Sequence, residues 1–283
     1  MKKDEIRSLA YELLETVPGN ILTEDMDIDP RFSGIRLFDA PLVGFGSASD
    51  SLFAEYKKPG IIGPWHMSPE EWLPGAKSVI SIFLPFTEEV RSSNRDETEH
   101  ASTPWLYARI EGQAFIIKYI AAMAARLEEQ GFRCCIPQTD PRWQAVHAGG
   151  GIEGYDAFMT PSTYGSRWSE RHAAFVCGLG TFGLSKGLIT ERGIAGRFCS
   201  LVTVLPLEPD IRPYLGVYDN CIHCNACVQR CPVGAIDPVT GKDHPTCHRF
   251  LGISKELFAP RYGCGLCQTG VPCEAENPLH LMD

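Results

Sequence analysis

Long apolar runs are absent from this 283-residue chain. The best of them, Ala114-Phe-Ile-Ile-Lys118-Tyr-Ile, is broken by its lysine and is too short to cross a bilayer, so no membrane span is expected. A secretory leader is missing as well: Met1-Lys-Lys-Asp-Glu-Ile-Arg carries charge where a leader needs an apolar centre, and Ile6, Leu9, Leu13 and Leu14 suit an amphipathic first helix instead. The expected location is cytoplasmic. Positive charge is scarce, with 26 Lys and Arg against 35 Asp and Glu, a net charge of -9 and a pI near 5.4. That balance speaks against nucleic acid as a partner, because such affinity comes largely from neutralising phosphates. There is no Gly/Ser linker, internal repeat or low-complexity tract, which excludes a flexible two-body chain and a solenoid.

Cysteine is abundant, with twelve residues. In a small secreted chain that number would suggest disulfides, but a chain of this length without a leader puts thiolates to better use as metal ligands. Their spacing says which metal. Cys221-Ile-His-Cys224-Asn-Ala-Cys227-Val-Gln-Arg-Cys231-Pro232 has the bacterial ferredoxin pattern, in which three thiolates wrap one 4Fe-4S cluster and the fourth, ahead of a proline, ligates another. Cys247, Cys264, Cys267 and Cys273 complete the count. The expected wiring is Cys221, Cys224, Cys227 and Cys273 on one cluster, and Cys231, Cys247, Cys264 and Cys267 on the other. Structural zinc is the alternative, since Cys pairs separated by two residues also bind zinc. Cys134, Cys135, Cys177 and Cys199 read as small buried hydrophobes, and His223 as a group that tunes a cluster through hydrogen bonding.

Two domains are expected, 1–206 and 207–283, the second being the cysteine-dense module. Ser78 to Pro85, Phe132 to Pro137 and Arg197 to Leu205 read as strands, and Tyr107 to Gln130 as the longest helix. Strands separated by long helices indicate an α/β or α+β core. His147-Ala-Gly-Gly-Gly-Ile-Glu-Gly154 reads as a loop. Gly178-Leu-Gly180-Thr-Phe-Gly183 matches the dinucleotide fingerprint by letters, but Ser169 to Cys177 before it looks like a capped helix where that fingerprint needs a strand. These glycines are expected to let the backbone approach a different bulky ligand.

The run from Ser169-Glu-Arg-His through Cys177-Gly-Leu-Gly-Thr-Phe-Gly-Leu-Ser-Lys-Gly to Thr190, with a following strand and the two-cluster module, resembles the epoxyqueuosine reductase family, whose architecture reductive dehalogenases share. The resemblance spans about Ser78 to Pro278. It implies an α+β, nitroreductase-like core that binds a corrinoid, followed by a ferredoxin-like module whose two 4Fe-4S clusters feed electrons to cobalt. Gly178, Gly180, Gly183, Lys186, Gly187 and Trp168 are then the candidate corrinoid-binding residues. His147 and His172 are conceivable axial ligands, although family members hold the cofactor without a protein histidine. Glu170 and Arg171 are expected to form a buried ion pair.

Three departures matter. The proton-donating Asp that the family places six positions before the Glu-Arg pair is replaced by Tyr164, the candidate catalytic residue, with Arg167 as the cation that would stabilise its phenolate. The helical-repeat extension of many family members does not follow Cys273. Acidity disfavours tRNA. The expected function is a cobalamin-dependent reductase of a substrate other than tRNA, a small molecule or a corrinoid protein, supplied by an external low-potential donor such as a ferredoxin or flavodoxin-like protein. An electron-transfer protein or reductive activator of a corrinoid protein, and a true epoxyqueuosine reductase, are the alternatives.

Overall fold

The computed structural model describes residues 1–147 and 150–281. In chain order it contains α1 (Lys3–Thr16), β1 (Leu42–Ser47), α2 (Leu52–Glu55), α3 (Pro69–Trp72), β2 (Ser78–Pro85), α4 (Glu88–Arg95), α5 (Thr103–Glu128) and β3 (Cys134–Cys135). A hairpin of β4 (Ala145–His147) and β5 (Tyr164–Ser166) leads to α6 (Glu170–Val176), a second hairpin of β6 (Gly180–Phe182) and β7 (Leu188–Thr190), and β8 (Gly196–Thr203). The cysteine-rich part holds α7 (Ala226–Gln229), β9 (Ile236–Asp237), β10 (Gly241–Lys242) and α8 (His244–Phe258).

The main sheet has the order β1-β2-β8-β3 and is antiparallel throughout. Every residue of β2 is buried, including Ser78 and Ser81 among its apolar side chains. Alternation then sends Ile80, Ile82 and Leu84 to the layer formed with α1 and α5, and Val79 to the opposite layer with Trp72, Trp168, Ala173 and Val176 of α6. The longest helix starts earlier than the sequence reading places it, because Ser102 caps it through the Trp105 amide and Pro104 fits its first turn. The strand expected from Phe132 to Pro137 shrinks to two residues before a 3-10 turn. β1 escapes detection because Gly44 and Gly46 dilute its pattern. They are glycines because α6 ends on top of them: a Cβ at Gly44 would strike the Cys177 carbonyl, and one at Gly46 would sit 3.1 Å from Cys177 Sγ.

The cysteine-rich part is stitched onto this core. Ile194 N–H donates to the Cys273 carbonyl at 2.8 Å, Asn220 Nδ2 to the Ile189 carbonyl at 2.9 Å, and Asn94 Nδ2 to Thr269 Oγ1 at 3.1 Å. Arg95 reaches the buried Glu274 at 2.6 Å. Of the glycine-rich loop after β4, Ala148 and Gly149 lie outside the described residues.

Candidate active site and cluster-binding region

The cysteines that the ferredoxin spacing groups together are neighbours in space. Burial, and then Cys227, Cys221 and Cys224, push the Cys273 thiol up to about 12. Around this quartet Ile189, Ile194, Val271 and Pro272 form an apolar shell. The other four also meet. Burial pushes the Cys264 thiol up to about 12 against the Leu266 amide, with Cys267 and Cys247 adding to the rise. Cys267 is raised by burial, with Lys242 and Arg171 opposing and Cys247 and Cys231 reinforcing. Cys231 Sγ accepts the Ala235 amide at 3.1 Å, a bond that would also stabilise a thiolate. Cys227 has Cys267 among its neighbours, so the two quartets adjoin.

Thiols held this high are protonated at neutral pH and become thiolates only when a metal supplies the compensating charge. Among the described residues no three potential ligands gather as tightly as a single metal ion requires. In a cubane each thiolate binds its own iron, so four neighbouring cysteines are the donor set it takes. The residues therefore fit two iron-sulfur clusters.

Beside the second quartet opens a cavity of about 1180 Å³. That exceeds the roughly 300–1,000 Å³ of ordinary small-molecule sites. Tyr56, Trp65, Trp143, Phe182 and Phe198 supply apolar walls, Arg171, Arg197 and Lys186 supply charge, and His244, His248 and Gln268 border it from the cysteine-rich part. His248 follows Cys247 directly and Gln268 follows Cys267, and Arg171 on the wall has Cys247 and Cys267 among its neighbours, so the second quartet lies behind one wall of the cavity.

Residues 217–237 match the 4Fe-4S binding domain family. An epoxyqueuosine reductase of Bacillus cereus is 25% identical over 224 residues, 75% of this chain and 52% of that protein. That of Bacillus subtilis is 30% identical over 124 residues, 40% of this chain and 31% of its own length. The chain is thus similar to epoxyqueuosine reductases over part of its length. It spans about a third to a half of the curated relatives it matches. Among solved structures, epoxyqueuosine reductase with an epoxyqueuosine-modified tRNA stem loop aligns over 95% of this chain and 66% of that one, at 19% identity and a TM-score of 0.51. A catabolic reductive dehalogenase aligns over 84% of this chain and 30% of its own, at 15% identity and a TM-score of 0.50. The chain thus shares the mixed α/β fold of both groups, with an iron-sulfur domain after the core.

Of the residues expected to hold a bulky cofactor in this chain, Lys186, Gly187 and Trp168 line the cavity, and so does Tyr164. Gly178, Gly180 and Gly183 do not. Gly178 closes α6 at φ 79° and packs on Ile211, and a Cβ at Gly180 would collide with the Ile189 carbonyl across the β6–β7 hairpin. Gly183 borders the first quartet instead, beside Cys221 and Cys273. These glycines serve helix termination and close packing, for which a GxGxxG-like string is equally suited. Trp168 is largely core, 2% exposed, stacked on Phe53 at 5.7 Å and donating to Ser200 Oγ at 2.9 Å. Lys186 is engaged, since its Nζ donates to Tyr218 Oη at 2.6 Å.

The expected Glu170–Arg171 ion pair is not formed. Both Glu170 oxygens are buried without a hydrogen-bond partner, and burial pushes its carboxyl up to about 7, opposed by the nearby Ser200 and Trp168. Arg171 turns into the cavity, where Tyr164, Cys267, Arg109 and Cys247 are its neighbours. Arg171 is thus the cation near Tyr164, whereas the Arg167 guanidinium is directed at the Arg142 carbonyl. His172 is held neutral, its pKa pushed down to about 3 by burial and by His66 and Arg171, with Nδ1 2.7 Å from Ser169 Oγ. His147 stacks on His248 at 5.5 Å. The sequence reading overlooks His244, whose ring lies 4.6 Å from that of Tyr164 and nearly parallel to it. The available signal was His244-Pro-Thr-Cys247-His248, which places two histidines one helical turn apart around a cluster ligand.

Proposed function

We propose that this protein is a cobalamin-dependent reductase that passes electrons through two 4Fe-4S clusters to a corrinoid, and then to a substrate other than tRNA. The observation carrying this reading is the second cysteine quartet lying directly behind the wall of an oversized, mainly apolar cavity, next to its lining residue Arg171. A corrinoid bound there would supply the low-valent metal chemistry. Electrons would enter at the first quartet from an external low-potential carrier and cross where Cys227 meets Cys267. The chain's own residues would do the rest: Tyr56, Trp65 and Phe198 exclude water, Gly187 and Lys186 shape the wall, and Tyr164, held by His244 beside Arg171, delivers a proton from its hydroxyl. A net charge of -9 supports a non-nucleic substrate. The competing reading, a true epoxyqueuosine reductase, draws on the relatives named above.

Protein purified without oxygen should contain about eight iron and eight sulfide per chain, two cubanes of four. Mixed with hydroxocobalamin under reducing conditions, it should retain the corrinoid through gel filtration. Complete loss of the corrinoid on the column would favour an electron-transfer protein or reductive activator instead. Salt-dependent binding of a tRNA stem loop would favour the tRNA reading.

A further inference from the structure

The cavity wall contains cations that nothing in the described residues neutralises. Arg171 on α6 and Arg197 on β8 line the cavity, and Arg109 on α5 lies behind them as a neighbour of both. The Arg197 guanidinium donates to the neutral Gln113 Oε1. Arg109 Nε is buried without a partner, and its guanidinium lies over the Tyr262 ring at 4.5 Å. Arg171 makes no hydrogen bond or ion pair among the described residues. The carboxyl next to it in sequence, Glu170, faces Ser200 and Trp168 instead. On α5, Glu111 is engaged with Arg261 at 2.9 Å.

Arg171 is open to the cavity and Arg197 is half-buried on its wall; like charges held this close without a carboxylate repel one another, and a wall that keeps them suits an anion that arrives later. We infer that Arg171 and Arg197 form an anion subsite of the cavity, taking the carboxylate or phosphoryl group of an organic ligand whose body rests on the aromatic walls. A guanidinium offers two parallel donors to either group, and Tyr56, Trp65 and Phe198 offer apolar surface beside it. Burial, and then Arg109 and Arg171, push the Arg197 pKa down to about 9, the response of a cation lacking its partner. The two arginines differ. Arg171 adjoins Cys247 and Cys267, so a bound cluster would meet part of its need, whereas the neighbours of Arg197 are Arg109, Arg171 and Tyr262. Arg197 is the cleaner test.

The subsite concerns the same cavity and rests on the proposed reading only for which anion fills it: the substrate's own acid group or the phosphodiester of a bound cobalamin. Cluster-loaded protein free of corrinoid would be titrated calorimetrically with benzoate and with phenyl phosphate, at constant ionic strength against chloride. One anion should bind per chain. Arg197→Gln should weaken it at least tenfold while raising the melting temperature of the ligand-free protein, and Arg197→Lys should restore part of the affinity. No binding beyond chloride, or an affinity in Arg197→Gln equal to that of the parent, overturns the inference. Repeating the titration after loading with cobalamin or with cobinamide, which lacks the phosphodiester, separates the sources. Blockage by cobalamin alone assigns the subsite to the cofactor, and binding in the presence of both assigns it to the substrate. If neither corrinoid is retained, the reductase reading fails while the anion measurement stands.

Discussion

The two cysteine quartets have the same ligands and opposite surroundings. The first, Cys221, Cys224, Cys227 and Cys273, is wrapped by Ile189, Ile194, Val271 and Pro272. The second, Cys231, Cys247, Cys264 and Cys267, has Lys242 and the cavity-lining Arg171 close by. Each electron added to a cluster adds negative charge. Cations therefore favour the reduced state and an apolar shell disfavours it. On the proposed reading the difference would set a direction: an electron entering at the first cluster would run downhill to the second, beside the cavity. Two sites that a ligand count makes equivalent thus acquire different work from their neighbours.

The largest expected effect comes from breaking the assignment. Cys231 lies in the loop of the first three ligands but belongs spatially with Cys267. Cys231→Ala should remove roughly half of the iron. The surviving cluster should be the one held by Cys221, Cys224, Cys227 and Cys273, seen as retention of a single reduced-cluster signal in electron paramagnetic resonance. Loss of the first cluster with retention of the second would overturn the crossover and the comparison built on it.

How much of this was legible beforehand follows from which physics each feature obeys. The ligand spacing is local and survives in the chain as text, so the quartets could be read from Cys221 to Cys273 in advance. Strand β2 was equally plain, since its β-branched and aromatic residues run up to Pro85. Glu170 and Arg171 show where reading stops. Adjacent opposite charges suggest a pair, but helix α6 sends consecutive side chains in different directions, one toward Ser200 and one into the cavity. The glycines were misplaced for a related reason: a positive φ or a crowded Cβ marks close approach by something, and the chain alone does not say whether that is a cofactor or the Ile189 carbonyl.

The cationic side of the comparison depends on Glu170 leaving Arg171 unneutralised, and stability measured against pH tests that. The Glu170 carboxyl titrates near 7 when folded, against 4.5 as its ordinary value. The folded state thus holds a proton that the unfolded state has lost, so stability falls as pH rises from about 4.5 to about 7 and levels off above. The span corresponds to up to about 3 kcal/mol. Glu170→Gln should remove this slope, making the variant more stable than the parent at pH 8 but comparable near pH 4.5 in denaturant titrations. A variant destabilised equally at both pH values would mean that the carboxylate is ionised and compensated after all, leaving Arg171 neutralised.

Lys242 offers the finest adjustment. Burial works against its charge, yet the neighbouring Cys267 and Cys247 outweigh burial and hold its pKa above the ordinary value. That balance marks a cation stabilised by the second quartet, and the attraction is mutual. With an effective dielectric constant of about 20, one charge roughly 10 Å from the cluster centre is worth on the order of 1 kcal/mol, or some tens of millivolts, on a one-electron couple. Lys242→Gln should lower the midpoint potential of the second cluster by about that much and leave the first unchanged, in a redox titration followed by electron paramagnetic resonance. Because Gly241 packs on the Lys186 side chain, loop distortion must be separated from loss of charge. Lys242→Arg keeps the charge and should keep the potential, whereas equal shifts in both variants, or movement of both clusters together, would locate the asymmetry elsewhere than in this cation.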